Sequence, residues 1–341
     1  MANYSTAALV KAQTRVEGAF QAGELRFREP VVHKLFLQNT QIMMPDYLAL
    51  RTREDRPVET DVKLRISRTL GTGRSHNHAG STGDSSTLTP SWTTYNDVFV
   101  TTLKQSDNKL YTMGEIEQNE LNNVIANFSE GLDEIASDYL FNNRSQVNTA
   151  TVEGTFDAVN FAFEIAVANE NRSAQIAKAV MDINKYQGMG YDVVCDTIAF
   201  NKFEFYANQG TGNNENTSFQ FMGMNFVHDA SLNAKAVAVD AAWTQGFWMM
   251  VPRGTIAALP WIPVQNRNGH QDSEGLYGQL INPIDGIAYA FHSYEERLDG
   301  TSIGGYTQDV KTEAEISLDI AYQHAPLSTA NETTIQAFAL T

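Results

Sequence analysis

The longest regular pattern of apolar and polar positions lies at 115–141, EIEQNELNNVIANFSEGLDEIASDYLF. Ile116, Leu121, Val124, Ile125, Phe128, Leu132, Ile135, Tyr139 and Leu140 recur at helical intervals, with Glu and Asn on the other side. This spacing predicts one amphipathic helix ~40 Å long. Glu115, Glu117 and Glu120 fall in its first turns, where carboxylates suit the positive end of the helix dipole. A shorter helical pattern covers 5–22, with Leu9, Val10, Val16, Ala19 and Phe20 on one side and Gly23 as a stop. Residues 24–50 read as extended, with Pro30 and Pro45 as breakers. Two more helices are predicted over 156–171 and 173–186, the second with Ser173 as its N-cap.

Elsewhere the pattern alternates. In 61–69, DVKLRISRT, Val62, Leu64 and Ile66 alternate with polar residues, and 92–105, WTTYNDVFVTTLKQ, has strand propensity. About twenty Gly-, Ser- and Thr-rich residues separate these two strands, which predicts a long hairpin with a loose tip. Legs of ~12–15 residues reach ~40–50 Å, against a radius of gyration of ~20 Å for a compact chain of this length. Such a hairpin folds back or projects. A buried strand around Val193, Val194 and Cys195 then runs into a helix, 201–210, that stops at Gly210. A polar loop, 210–219, follows. Short strands are expected within 221–229, 234–241, 246–252 and 254–264, longer ones at 284–300 and 308–325, and a last one at 333–341.

Composition adds that the chain can hold a sizeable core: 341 residues, 42% of them hydrophobic. Its single cysteine, Cys195, permits no disulfide within one chain and reads as a buried thiol. The first residues lack the basic start and apolar run of a signal peptide, and no run is long and apolar enough to span a membrane. The net charge of -16 is uneven. Residues 1–75 hold 12 Lys and Arg against 8 Asp and Glu, and the remainder carries a net -20. A basic front end of this kind could lie across the acidic body of a second copy. The acidic majority argues against a dedicated DNA-binding protein, whose phosphate contacts need clustered Lys and Arg.

The stretch 68–92, RTLGTGRSHNHAGSTGDSSTLTPSW, carries three chemical suggestions, and each falls short. Gly73 is followed by Arg74 and leads to a strand, whereas a phosphate loop needs GxxxxGK[ST] before a helix. His76 and His78 have no Cys or nearby His to complete a metal set. The Gly83-Asp84-Ser85 triplet lacks the Gly-Gly-Pro that follows a serine-protease nucleophile, and a positioned His and Asp besides. His33, His228, His270, His292 and His324 are scattered singly and read as structural. Glu295, Glu296, Glu313 and Glu315 read as solvated strand faces, and Trp243, Trp248 and Trp261 as core or contact aromatics. No catalytic, cofactor-binding or metal-binding residues are assigned, no cofactor is expected, and the chain is not read as an enzyme. An enzyme with its site in the 210–232 lobe is the rival from another class.

The order of parts resembles the major capsid proteins of tailed bacteriophages, the Hong Kong 97-type capsid fold. The resemblance covers nearly the whole chain. It rests on the projecting hairpin, the long helix at 115–141, and three stretches: YDVVCDTIAFNKFEFYANQG (191–210), FQFMGMNFVHDASL (219–232) and MMVPRGTIAALPWIPVQ (249–265). The fold class it implies is α+β. The implied parts are an N-terminal arm (1–50), an E-loop hairpin (51–112), a P-domain with the spine helix (113–190), an A-domain (191–284), and P-domain return strands with the C-terminus (285–341). The implied function is self-assembly into pentamers and hexamers of an icosahedral phage head enclosing double-stranded DNA, without sequence-specific binding. The implied place is the virion, assembled in the bacterial host cytoplasm, with no membrane partner. Portal and decoration proteins are further expected partners. Many members begin with a long built-in scaffold segment that this sequence lacks, so a separate scaffolding protein, or none, is expected. The alternative of the same fold is an encapsulin-like nanocompartment shell. On either reading, Arg51, Arg53, Arg56, Arg65, Arg68 and Arg74 are the expected inter-subunit contact residues.

Overall fold

The structure is a computed structural model that describes residues 6–23, 28–44, 47, 51–57, 59–63, 85–102, 113–184, 190–208, 218–299, 308–327 and 329–341. The 115–141 pattern forms a helix, α3 (Met113–Asn142), after α1 (Thr6–Gln21) and α2 (Val31–Met43). Leu121, Val124, Ile125, Phe128, Leu132 and Leu140 are buried along one side of α3, which packs on α1 and α2. In α1, Val16 and Ala19 are buried, but Val10 and Phe20 point to solvent, so its apolar stripe is narrower than expected.

The extended reading of 24–50 is corrected by α2. Pro30 opens this helix instead of breaking it. The buried side of α2 is Val32, His33, Leu35, Phe36, Asn39 and Thr40. Three of those six are polar, which hid the helical period from an apolar count.

Two sheets carry the strands. The first is built on β14 (Gln308–His324), which pairs antiparallel with three others: β13 (Ala288–Asp299), β10 (Ile256–Trp261) and β3 (Thr93–Thr102). β13 takes residues 308–317 of β14 and β10 takes 319–324, while β3 takes 311–320 and overlaps both. β3 therefore lies along the opposite edge of β14. Beyond β13 come β12 (Leu276–Ile281) and β11 (His270–Gln271), and a short helix, α7 (Val264–Asn268), packs on β12 and β13. Ala314, Ile316, Leu318 and Ile320 face the main core with Phe99 and Phe291, so the odd-numbered residues of β14 face the other way.

The second sheet has the order β4 (Thr155–Asp157), β5 (Ala162–Ile165), β15 (Gln336–Leu340), β9 (Phe247–Pro252), β6 (Tyr191–Cys195), β8 (Met224–His228) and β7 (Ser218–Phe221). It is buried on both faces. Val194, Phe247, Met249, Val251 and Ala337 join the main core. Val193, Cys195, Trp248, Met250 and Phe338 face a second core closed by α4 (Ser173–Ile183) and α5 (Thr197–Asn208). Strands buried on both faces read as continuous apolar runs, as FWMMVP does here.

Other expectations change. Residues 156–171 form β4, β5 and a 3-10 turn, not a helix. Parallel pairing of β5 with C-terminal β15 decides this, and it is invisible to a local pattern. The expected strand at 234–241 is a helix, α6 (Leu232–Val239), buried through Leu232 and Ala236. Eight apolar-rich residues do not separate the two states by period. Ser173 is the first residue of α4, with Arg172 at the cap position. α5 starts earlier than expected because the carboxylate of Asp196 accepts from the N–H of Ala199 at 2.6 Å. The predicted hairpin partners also differ. β1 (Thr60–Lys63) pairs with β2 (Ser85–Leu88), and β3 pairs with β14.

Replacing Leu132, 1% exposed on the buried side of α3, by Ala is expected to lower unfolding free energy by about 2–5 kcal/mol. Equilibrium denaturation in urea would measure it.

Candidate inter-subunit surface

The hairpin β1–β2 is rooted on the outer face of the first sheet. Met44, Leu259 and Ala321 form a small apolar cluster there, covered by Met43, Tyr47, Leu88 and Trp92. The Tyr47 hydroxyl donates to the carbonyl of Pro260 (3.2 Å), and the Trp92 indole N–H donates to that of Pro57 (2.9 Å). Trp261 donates to the carbonyl of Arg53 at 3.3 Å, and Arg267 donates to the carbonyl of Arg51 at 3.2 Å. Arg56 lies over the Trp261 ring at 5.7 Å and pairs with Asp319 at 3.3 Å. Trp261 is thus a contact aromatic, with the guanidinium of Arg267 also over its ring.

Of the six expected contact arginines, Arg51, Arg53 and Arg56 sit in this root, and the ion pair of Arg56 is within its own chain. Arg65, Arg68 and Arg74 lie outside the described residues, as do His76, His78, Gly83 and Asp84.

Past the root, the same face stays open. Val98 (52% exposed), Val100 and Tyr294 reach solvent there. Register places Val100, Glu313 and Tyr294 in one row across β3, β14 and β13, and Val98, Glu315 and His292 in the next. Rings continue across to β11: Tyr294 and His292 are 6.0 Å apart, His292 stacks on Tyr277 at 4.4 Å, and Tyr277 is 6.2 Å from His270. Glu313 accepts from the Tyr294 hydroxyl and pairs with Lys311. Those partners hold its carboxyl below the usual range.

Beneath the opposite side of the sheet lies a buried polar cluster that sequence reading missed. Asp133 of α3 accepts from the N–H of Val32 (2.7 Å) and of His33 (3.1 Å), capping α2 from outside because Pro30 has no side-chain acceptor. Arg28 bonds Asp229 at 2.8 Å and lies 3.6 Å from Asp133. Burial lifts the Asp133 carboxyl to about 6, against the pull of its backbone bonds and Arg28. Burial opposes ionisation of Asp229 as well, but its hydrogen bonds, including that from Arg28, leave its carboxyl below the usual value.

His33 lies within 2.9 Å of the Tyr322 hydroxyl through Nδ1. That hydroxyl also lies 3.2 Å from the carbonyl of Leu132, while Nε2 of His33 is buried without a hydrogen-bond partner. Burial, with Lys34 nearby, drives the ring's pKa down to about 3. Asp285, 3.9 Å from Nε2, is lifted to about 6, mainly by burial. It accepts from the Tyr289 hydroxyl at 2.6 Å. A signal existed in the sequence: Ser129, Asp133 and Ser137 form a polar line at four-residue spacing inside the buried side of α3.

The remaining candidates are structural. Cys195 is buried, and burial pushes its thiol well up. His324 meets the Tyr139 hydroxyl at 2.8 Å, and His228 meets Thr197 at 3.0 Å. Asp157, Glu164 and Asp240 bring carboxylate oxygens within 4.8 Å of one another. They accept from Val159 N–H, Trp243 N–H and Asn160 respectively, which ties the β4–β5 turn to the end of α6. No helix among the described residues is long and apolar enough to cross a membrane.

No protein-family model matches the sequence, and no curated protein matches it. Solved structures do. A chain of Mycobacterium phage Che8 superposes with a TM-score of 0.50 at 10% identity, covering 92% of each chain. The cyanophage A-1(L) capsid asymmetric unit gives 0.48 at 10% identity, over 89% of this chain and 93% of that one. The asymmetric unit of the bacteriophage PhiM1 mature capsid gives 0.47 at 12%, over 84% and 83%. The chain therefore has the fold of the Che8 structure along nearly its whole length, and that fold is the α+β Hong Kong 97 type.

Two outcomes are expected for the buried cluster. Arg28→Met leaves Asp133 and Asp229 without their cation and should cost about 1–3 kcal/mol in equilibrium unfolding, because the guanidinium is partly exposed. For Asp285, the folded-state pKa lies above the unfolded value. Its stabilising effect is therefore full at pH below ~4 and lost as pH rises through about 6. Asp285→Asn removes that dependence. Its unfolding free energy should fall less than that of the natural chain between pH 4 and 7, by up to ~3 kcal/mol.

Proposed function

We propose that this chain is the major capsid subunit of a tailed-phage head, self-assembling into the pentamers and hexamers of an icosahedral shell around double-stranded DNA. The observation that carries the reading is the shared fold with the phage Che8 structure over 92% of both chains. The hairpin rooted by Trp92, Trp261 and Arg56 and the half-open sheet face support it, because a subunit of a shell must offer both a reaching element and a surface to receive one.

On this reading the parts are the arm at 1–50, the E-loop at 51–112, a P-domain with the spine helix at 113–190, an A-domain at 191–284 and return strands at 285–341. The role is structural and not enzymatic, without a cofactor, and the place is the virion shell, assembled in the host cytoplasm. Scaffolding, portal and decoration proteins are the further partners. Arg51, Arg53, Arg56, Arg65, Arg68 and Arg74 contribute inter-subunit contacts. An acidic body of net -20 beyond residue 75 does not trap phosphates during packing.

Expression of the chain alone, then with candidate scaffolding proteins from its gene neighbourhood, followed by electron microscopy, tests the proposal. Closed icosahedral particles or rings of five and six subunits are expected. A uniform monomer under every condition would remove the reading. Particles filled with a cargo enzyme in place of DNA would favour the nanocompartment shell.

A further inference from the structure

Between α2 and the second sheet lies an open recess of about 410 Å³. Lys34, Gln38 and Asn39 of α2 form one wall, Asp192 of β6 and Asn225 of β8 form the other, and Arg253 enters from the end of β9. Arg253 is held from behind. Its Nε donates to Asp192 at 3.0 Å, and its backbone N–H donates to the carbonyl of Gly190 at 3.0 Å. The side chain of Asp192 is 4% exposed and also accepts from Asn39 (3.1 Å) and Asn225 (3.4 Å). That carboxylate is thus engaged in fixing the guanidinium. Among the described residues nothing accepts from either Nη of Arg253, whose side chain stays 30% exposed. The planar fork that a guanidinium offers to an oxyanion is left unused.

Lys34 faces the same recess and bonds Glu29 on its rim at 2.6 Å, where the Glu29 side chain is 47% exposed. A pair so open to water is weak, and another anion can take the place of its carboxylate. Arg28, six residues before Lys34, repeats the arrangement of Arg253: its side chain is 38% exposed, while its carboxylates on Asp133 and Asp229 are 3% and 1% exposed. At both arginines the anion lies inside and the cation outside. The surface at this junction is therefore locally positive on a chain of net charge -16.

We propose that this recess is a binding site for a small phosphate-class oxyanion, gripped by the Nη groups of Arg253 and the Nζ of Lys34. Glu29 is then the chain's own placeholder for the ligand. A free ion or a phosphate monoester suits the site better than a nucleic acid, because the acidic body repels a long polyanion. Occupancy ties α2 to the second sheet, so the ligand also stabilises the folded chain. The site rests on the recess and not on the reading of the chain as a shell subunit.

Isothermal titration of the full chain with inorganic phosphate at low ionic strength tests it. One saturable site is expected. Arg253→Lys, which keeps a cation on Asp192 but loses the fork, should weaken binding by about tenfold or more, as should Lys34→Gln. Glu29→Gln should tighten it by up to about fivefold. Phosphate should raise the melting temperature of the natural chain and do so less in the two weakened variants. Circular dichroism checks that each variant folds. If a cation variant does not, Glu29→Gln still decides, since that side chain is half exposed and its effect has the opposite sign. No saturable binding by the natural chain or by Glu29→Gln overturns the site, and so does an affinity indifferent to all three substitutions. A short DNA duplex should not displace the phosphate. Displacement that disappears in Arg253→Lys overturns the free ion as ligand in favour of a phosphodiester. Particle formation is scored separately by electron microscopy: loss of phosphate binding leaves the shell reading intact, and absence of shells leaves the site intact.

Discussion

Everything in the first sheet is fitted to one strand. β14 is seventeen residues long, ~56 Å at ~3.3 Å per residue, and it serves three partners at once. Its even-numbered side chains close the main core beneath α3, and its odd-numbered ones build the outer face that holds both the hairpin root and the open ladder. Core and candidate interface are therefore two sides of one register. The second sheet contributes differently: buried on both faces, it joins the two cores and leaves little of itself to a partner.

Besides its apolar contacts in the main core, α2 is pinned by polar chemistry. Asp133 caps α2, Arg28 bridges Asp133 and Asp229, and Thr40 bonds both the N–H and the carbonyl of Ala258. At the nearby turn, Gly254 has φ +79°, and a side chain there would meet Ile42 at 2.5 Å. Such bonds cost desolvation, and half-satisfied they destabilise. They also fix geometry, because Asp133 can cap only one helix at one angle. The hairpin root begins just past α2, so this cluster sets where the hairpin leaves the body.

Local signals in the sequence were good guides where local physics decides. The 115–141 helix, the strands at 191, 247 and 288 and the buried Cys195 were all legible. What was hidden depends on distant partners. Residues 162–165 became a strand because β15, at the far end of the chain, lies beside them. β3 has strand propensity, but only the fold says that its partner is β14 and not β1. α2 was lost because His33, Asn39 and Thr40 are polar yet buried, each with a partner remote in sequence. The open face was half legible: Glu313 and Glu315 read correctly as outward, but nothing local shows that His292 and Tyr277 stack behind them.

The alternation along β14 also constrains how such a chain can change over evolutionary time. Between Glu313 and Ile320, a single inserted or deleted residue would exchange Ala314, Ile316, Leu318 and Ile320 for Glu313, Glu315, Ser317 and Asp319 on the core side. The phage Che8 structure has the same fold at 10% identity. The register therefore tolerates a change of length in the loops that flank β14 and not within it, whatever letters fill its two faces.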